Sequence, residues 1–262
     1  MGLNLPDPDT ARLPRSPLEL VICQVRFAQQ AGAADAKVAL AFHEQLGGAS
    51  GSYPELAGIE GQELVVSGGP GGLQQTENRA SAGWRFSSEA GDWVVSLMPD
   101  HVSLETTSYT TWKDDFKPRL QEVIETTATT LQPVIEQRLG LRYVDRIEEL
   151  KLSSIAEWRQ YIAPELLGPI LHPTLGPEIT AIGQQFQLRV DEQLRAAVRH
   201  GPVSDGESGN VDYLLDYDVF RQGGRSFDVA DLLDATDQLN LCAHQLFRAS
   251  VTDDLFEFLG KS

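Results

Sequence analysis

The chain has 262 residues and a formal net charge of −17, from 38 acidic residues against 21 lysines and arginines. This acidity argues against broad binding to nucleic-acid phosphates or to anionic membranes, because both need clustered cations. The apolar runs fall far short of the roughly 20 residues that span a bilayer, and the sequence has only two cysteines, Cys23 and Cys242. Composition therefore predicts a soluble, folded, cytoplasmic protein without a transmembrane helix or a disulfide framework.

The first part of the chain predicts a leader, a strand and a short helix. Residues 1–16 are rich in proline and aspartate without periodicity, so we expect an extended leader. Apolar residues then alternate at period two, which predicts a strand over residues 20–27. A short helix is expected from Asp35 to Leu46, and the glycine-rich run from Ser67 to Gly72 predicts a turn.

The middle of the chain predicts an antiparallel meander followed by a long helix. Three short alternating runs separated by turn signals lie within residues 84–109. Apolar residues spaced three and four apart then predict a helix over residues 112–131. Pro118 fits the first turns of this helix, and Pro133 should end it.

The remaining sequence predicts a similar series of elements. We expect a strand over residues 141–149, a helix from Ile155 to Leu167, and strands within residues 182–219. Within that last region, Gly201 to Asn210 reads as a polar loop. A second long helix is predicted over residues 229–248, beginning after Asp228.

These elements predict an α+β protein of two pseudo-repeated halves, each an antiparallel meander followed by a long covering helix. The leader at 1–16 precedes an N-terminal half at 17–140 and a C-terminal half at 141–262, which together form one integrated unit. The apolar phase of each element also predicts core positions, namely Phe116, Leu120, Ile124, Leu188, Tyr217, Leu233 and Phe247.

Catalytic signatures are missing from the sequence. It contains no phosphate-binding loop, no dinucleotide fingerprint, no Cys-x-x-Cys and no Gly-x-Ser-x-Gly. His43 and Glu44 begin like a zinc-protease helix, but Gly47 stands where the second histidine belongs. The five histidines lack metal-ligand spacing. We therefore expect no catalytic residue, no metal and no cofactor, which favours a protein that is not an enzyme.

Two charged groups are candidate binding residues. Arg142 and Arg146 share one face of the strand predicted at 141–149, and Asp145 lies on the other face. Because arginine makes bidentate hydrogen bonds to carboxylates and phosphates, the two arginines either pair internally or hold a ligand or partner. The sequence alone leaves both interpretations open.

The second group is an acidic row on one strand, formed by Asp212, Asp216 and Asp218. From Val203 onward the chain has 12 acidic and 4 basic residues. Such a row is usually the solvated face of an edge strand, but it also suits a divalent cation or a partner with a basic surface. These interpretations too remain open at this stage.

Five segments resemble the signature blocks of a sporadically distributed prokaryotic protein family of unknown function. They are LPRSPLELVICQVRF from Leu13, YTTWKDDF from Tyr109, RLGLRYVDRI from Arg138, LDYDV from Leu215, and AHQLFRASVTDDLFEFL from Ala243. The family's L-R-Y-[IV]-N-R-I block has asparagine where this chain has Asp145. The resemblance implies no catalytic residue. The patchy occurrence of the family resembles that of mobile defence and toxin–antitoxin genes.

Three hypotheses follow for function. The first is a non-catalytic cytoplasmic binding or regulatory protein, a partner in a defence or toxin–antitoxin type system that meets a protein with a basic surface. The second is a small-ligand binder or enzyme with an Arg-lined pocket between the sheet and a long helix, edged by Arg142, Arg146 and Trp112. The third is a self-assembling subunit that forms a homo-oligomer.

Overall fold

The structure is a computed structural model that describes residues 3–7, 13–69, 72–148, 150–204 and 209–260. The strands in this part of the chain are β1 Leu18–Phe27, β2 Glu55–Gly69, β3 Gly72–Ser87, β4 Trp93–Met98, β5 His101–Thr106, β6 Ile135–Ile147, β7 Gln184–Arg189, β8 Leu194–Ser204 and β9 Val211–Ser226. The α-helices are α1 Ala36–Gln45, α2 Lys117–Thr130, α3 Pro164–Leu167, α4 Val229–Ser250 and α5 Asp253–Gly260.

All nine strands belong to one sheet, in the order β2-β3-β4-β5-β1-β6-β9-β8-β7. Neighbouring strands run antiparallel in β2-β3-β4-β5 and in β9-β8-β7. The predicted α+β class with an antiparallel sheet is therefore confirmed. No helix in the described residues is both long and apolar enough to cross a membrane.

The chain divides into two compact units. The first unit comprises Cys23–Arg138 with Gly223–Ala230. The second comprises Met1–Ile22, Leu139–Gln222 and Asp231–Ser262. The boundary between Arg138 and Leu139 lies close to the boundary predicted after residue 140, but each unit also takes in a short piece of chain from the other half of the sequence.

In the first unit, helices cover the apolar side of the strands through aromatic contacts. The ring of Phe42 on α1 lies 5.1 Å from that of Phe86 on β3, measured between centroids. Phe116, just before α2, lies 5.8 Å from Trp93 on β4. A π-helical turn over Trp112–Phe116 leads into α2, which has Pro118 in its first turn as predicted. The helix ends at Thr130, before Pro133.

In the second unit, α4 lies against one face of the sheet. The Tyr143 hydroxyl on β6 donates to Asn240 Oδ1 on α4 at 2.7 Å. On the same face the indole of Trp158 donates to the carbonyl oxygen of Val211 at 3.0 Å and packs against Tyr213. The buried side of α4 consists of Leu232, Ala235, Thr236, Leu239, Cys242, Ala243, Leu246 and Ser250.

Several sequence predictions need correction. The helix predicted from Ile155 to Leu167 is instead a 3-10 turn, Ile155–Gln160, followed after a break by the one-turn helix α3. Pro164 explains the break, because proline lacks an N–H and forces the preceding residue out of the helical region. Ala163 accordingly has an extended ψ of 128°.

Other predicted bounds also differ. Strand β8 continues to Ser204, so the first residues of the predicted polar loop are strand. Strand β6 begins before the predicted residue 141, and β9 continues beyond residue 219. Strand β2 and the first half of β3 were not predicted, because glycines and polar residues interrupt apolar alternation there. Of the turn predicted from Ser67 to Gly72, Ser67–Gly69 and Gly72 are strand instead, and residues 70–71 lie outside the described residues. Of the predicted leader, residues 3–7 and 13–16 carry neither helix nor strand.

The predicted core is correct at four of its positions: Phe116, Leu120, Ile124 and Tyr217 are buried. Leu188, Leu233 and Phe247 are only half-buried. Leu188 lies on the outermost strand of the sheet. On α4 the prediction was wrong by one residue, since Leu232 is fully buried and its neighbour Leu233 lies at the margin.

Truncation of Leu120 tests the core of the first unit. Leu120 is 1% exposed on α2, so Leu120→Ala should lower the free energy of unfolding by about 2–5 kcal/mol. Leu40 on α1 is 54% exposed, and Leu40→Ala is the matched control with an expected change below about 1 kcal/mol. Urea unfolding measures both. Equal losses in the two variants would contradict the assignment.

Candidate functional site

The candidate arginines and aspartates come together on one face of the sheet in the second unit. On β6, Arg142 and Arg146 alternate with residues that face α4, and on β9 the aspartates alternate with buried tyrosines and leucines. Strand β8 adds Arg199, which is directly opposite Asp216 in the β8–β9 pairing. We call this set the charged face; its members are Arg142, Arg146, Arg199, Asp212, Asp216 and Asp218.

Asp216 is the central acceptor of the charged face. Arg142 donates to it through two parallel hydrogen bonds, from Nε to Oδ1 at 2.7 Å and from Nη2 to Oδ2 at 2.8 Å. Arg199 Nη1 lies 3.2 Å from the same Oδ2. The Asp216 side chain is 3% exposed, whereas those of Arg142 and Arg199 are 42% and 41% exposed. One buried carboxylate therefore orients two exposed guanidinium groups.

A second pair lies four residues away on each strand. Arg146 donates from Nε and Nη2 to Asp212 Oδ2, at 2.9 and 2.6 Å. The Asp212 side chain is 5% exposed and that of Arg146 is 33% exposed. Hydrogen bonding to Asp212 raises the pKa of Arg146, and the nearby charges of Glu19 and Glu148 act in the same direction. Acidic groups therefore surround this end of the charged face.

These contacts show the internal pairing that was one of the interpretations the sequence left open. Arg142 and Arg146 pair internally with Asp216 and Asp212. The aspartates do not form a free acidic row, because two of them are buried beneath arginines and Asp218 is only half-exposed. Nor is β9 an edge strand, since it lies between β6 and β8.

The two arginines of the predicted pocket do not face α4. Arg142 and Arg146 point to the face opposite Tyr143, and Tyr143 is the residue that contacts α4. Trp112 belongs to the first unit, where its ring stacks on Phe116 with centroids 5.5 Å apart. The structure therefore pairs both arginines with aspartates. Trp112 belongs to a different compact unit from the two arginines.

Sequence reasoning missed three arginines of the same face. Arg199 was not among the predicted candidates, because its contact with Asp216 depends on the β8–β9 register. Arg189 on β7 and Arg195 on β8 are directly opposite each other in the β7–β8 pairing. The sequence predicts two strands folded near Asp191 and Glu192, and such a hairpin pairs residues on either side of its turn.

A depression of about 330 Å³ lies beside Arg199, where β7 begins. Its charged or titratable lining residues are Arg199 and His200, and its lining includes no carboxylate, serine or cysteine. The Nδ1 atom of His200 lies 2.9 Å from the Tyr213 hydroxyl oxygen, and burial lowers the pKa of this histidine. The lining thus offers one cation and an imidazole but no nucleophile.

Asp145 lies on the opposite face of β6 from the charged face and is 6% exposed. Burial, reinforced by the Glu19 carboxylate, raises the pKa of Asp145 to about 8. The side chain is therefore protonated at neutral pH and presents an O–H donor and a carbonyl acceptor. In this state it has nearly the shape and the hydrogen-bonding groups of an asparagine side chain.

No family model matches this chain, and no curated protein matches it either. Among the described residues, no group of three or more histidine, cysteine, aspartate or glutamate side chains is placed to hold a metal ion.

The two ion pairs should respond differently to the same truncation. Arg146→Ala leaves the buried Asp212 carboxylate without an arginine, and we expect a loss of about 2–3 kcal/mol in the free energy of unfolding. After Arg142→Ala, Arg199 still hydrogen bonds Asp216, so the loss should be about 1 kcal/mol. Urea unfolding compares the variants. Adding Asp212→Asn to Arg146→Ala should recover most of the loss, and no recovery would contradict a buried-charge origin.

Asp145 should make stability depend on pH. Its folded-state pKa of about 8 exceeds the unfolded value of roughly 4, so the folded state holds an extra proton between these values. The free energy of unfolding therefore falls as pH rises through this window, by about 1.4 kcal/mol per pH unit from this group. Asp145→Asn removes the effect, so its advantage over wild type should grow by about 2–3 kcal/mol between roughly pH 5 and 7.

Urea unfolding at the two pH values measures this difference. Asp234→Asn is the control, because Asp234 is exposed on α4 and should shift stability equally at both pH values. A constant difference between Asp145→Asn and wild type would show that Asp145 is ionised in the folded protein.

Proposed function

We propose that this chain is a non-catalytic binding or regulatory protein whose contact surface is the charged face. The observation that carries the proposal is that buried aspartates orient arginines whose side chains remain about one-third or more exposed. Ordering a free arginine on binding costs up to about 2 kcal/mol of side-chain entropy. Here Asp212 and Asp216 have already restricted the side chains, so association loses less entropy.

The free donors indicate the chemistry of the partner. Arg142 uses Nε and Nη2 toward Asp216, so N–H groups on its outer side remain for another acceptor. A partner reaching this face meets the arginines first, because Asp212 and Asp216 lie beneath them. The contacts therefore favour partner carboxylates over the basic surface suggested by the sequence. A basic partner would have to use Asp218 and the exposed acids Glu19 and Glu148.

The biological setting of the proposal comes from the resemblance alone. The blocks around Arg138–Ile147 and Leu215–Val219 resemble a family whose patchy occurrence is like that of defence and toxin–antitoxin genes. These two blocks carry Arg142, Arg146, Asp216 and Asp218. We therefore place the protein in the cytoplasm as a binding partner in such a system. The two pseudo-repeated halves stay part of this proposal, with the charged face lying in the C-terminal one.

The alternative is a small-ligand binder that uses the depression beside Arg199. A single arginine with the apolar side chains of Ile182, Val203 and Leu214 would suit a small carboxylate or phosphate. The lack of a nucleophile or carboxylate in the lining favours binding over catalysis. We rank this function second, because the oriented arginines extend well beyond the depression.

Substitution of the central pair tests the proposed contact. Arg142→Gln with Asp216→Asn removes both charges while keeping hydrogen-bonding groups, so the fold should survive with a nearly unchanged melting temperature. The dissociation constant for the partner, identified by affinity capture and then purified, should rise at least about tenfold. Arg159→Gln is the matched control, since Arg159 is exposed in the same unit and its Nε donates to the carbonyl oxygen of Ala156.

Salt dependence then separates the two partner chemistries. With a net charge of −17, the protein repels an acidic partner at long range, so added salt should leave the association rate unchanged or raise it. A basic partner would associate more slowly as salt rises. Full binding by the Arg142→Gln/Asp216→Asn variant would exclude the charged face as the contact surface.

A further inference from the structure

Strand β7 is the outermost strand at one end of the sheet, and its outer edge is open. It pairs with β8 alone, over Gln184–Arg189. Within the described residues, backbone hydrogen bonds connect β7 to no other strand. Such an edge presents a row of N–H and C=O groups that an extended peptide can join. β7 contains no proline, lysine or bulge of the kind that usually protects an edge.

Along β7, exposed polar side chains alternate with half-buried apolar ones. Gln185, Gln187 and Arg189 are exposed on the face that also carries Arg199, while Phe186 and Leu188 are half-buried on the other face. A strand added at this edge would follow the same alternation, because successive side chains of a strand point to opposite faces. Its polar residues would lie beside the glutamines and Arg189, and its apolar residues beside Phe186 and Leu188.

The charge at this edge is uncompensated. Arg189 and Arg195 lie directly opposite each other, an arrangement that is unfavourable for like charges unless a carboxylate neutralises it. Arg195 donates to the carbonyl oxygens of Asp191 and Leu194. Neither arginine has a carboxylate partner among the described residues. On β6, by contrast, Arg142 and Arg146 each have an aspartate partner, so uncompensated positive charge lies at the β7 end of the face.

The backbone next to this edge already accepts an extended segment. The N–H of Leu3 donates to the carbonyl oxygen of Val190 at 2.6 Å, directly after β7 ends. Among the described residues, no backbone hydrogen bond from outside the sheet reaches Gln184–Arg189, and the Gln184 side chain donates to the carbonyl oxygen of Leu166 at one end of the strand. An extended backbone therefore already lies beside the other end of this strand.

We propose that β7 is the docking strand for an extended segment of the partner that carries acidic residues at alternate positions. The segment adds to the sheet beside β7, its carboxylates neutralise Arg189 and Arg195, and its intervening apolar side chains cover Phe186 and Leu188. This inference rests on the proposed binding function and names the partner's recognition element. Backbone hydrogen bonds supply affinity, and the alternating side chains supply selectivity.

A synthetic eight-residue peptide of alternating valine and aspartate is the probe, with the full-length protein in solution. Binding is measured by calorimetry, and hydrogen exchange should slow at amides of Gln184–Arg189. Two control peptides keep the length: one has the same composition with its aspartates in one block, and the other replaces aspartate by lysine. Both should bind at least about tenfold more weakly. N-methylation of every second peptide nitrogen on one edge should abolish binding.

The matching protein variant is Arg189→Gln with Arg195→Gln, which removes an unfavourable charge pair and should fold normally. It should bind the alternating peptide at least about tenfold more weakly than wild type, while Arg159→Gln should bind it normally. Equal binding of the block and alternating peptides, or full binding by the double variant, would overturn the docking strand.

The experiments distinguish a failure of the docking strand from a failure of the charged face as contact surface. If the peptide does not bind but partner binding still depends on Arg142 and Asp216, the charged face remains the contact surface and the docking strand is excluded. If the peptide binds through Arg189 and Arg195 but the partner binds the Arg142→Gln/Asp216→Asn variant fully, the charged face is excluded and the edge strand is supported.

Discussion

The buried carboxylate of Asp216 is the interaction that fixes the register of the strands carrying the charged face. It joins three strands, because it accepts two hydrogen bonds from Arg142 on β6 and one from Arg199 on β8 while belonging to β9. Burying a carboxylate costs several kcal/mol unless partners compensate it, so the sheet is stable only when these strands keep this register. A slip by one residue would place Asp216 among the buried tyrosines of β9.

The same alternation that creates the charged face creates the core. Tyr143, between the arginines of β6, hydrogen bonds α4, and Tyr213 and Tyr217 of β9 are buried on that side. Asp145, an acidic side chain of β6, also lies on this buried face. Burial raises its pKa, so the side chain is accommodated in its protonated form and not through an arginine partner. On the opposite face, Asp216 and Asp212 are instead paired with Arg142 and Arg146.

The periodicity of apolar residues predicted most helices and strands of this chain. It could not predict side-chain contacts that depend on which strands are neighbours in the sheet. Strand β1 and helices α1, α2 and α4 followed from periodicity, but Pro164 interrupted a helix that apolar spacing alone had extended. The charged face required knowledge that Arg142 and Asp216, 74 residues apart, are neighbours. The sequence identified both residues as candidates, yet it could not show that they neutralise each other, because a strand pattern specifies a face and not the strand beside it.

Net charge is consequently a poor guide to the chemistry of this surface. The chain carries −17 overall, and its C-terminal part is more acidic than its remainder, yet the open face there displays guanidinium groups. Pairing removes aspartates from the surface selectively, since a short side chain lies close to the sheet while a long arginine reaches over it into solvent. An acidic strand beside basic strands therefore yields a surface of arginines. Arg142 and Arg146 on β6 have aspartate partners, whereas Arg189 on β7 has no carboxylate partner among the described residues, so the face becomes more positive toward β7.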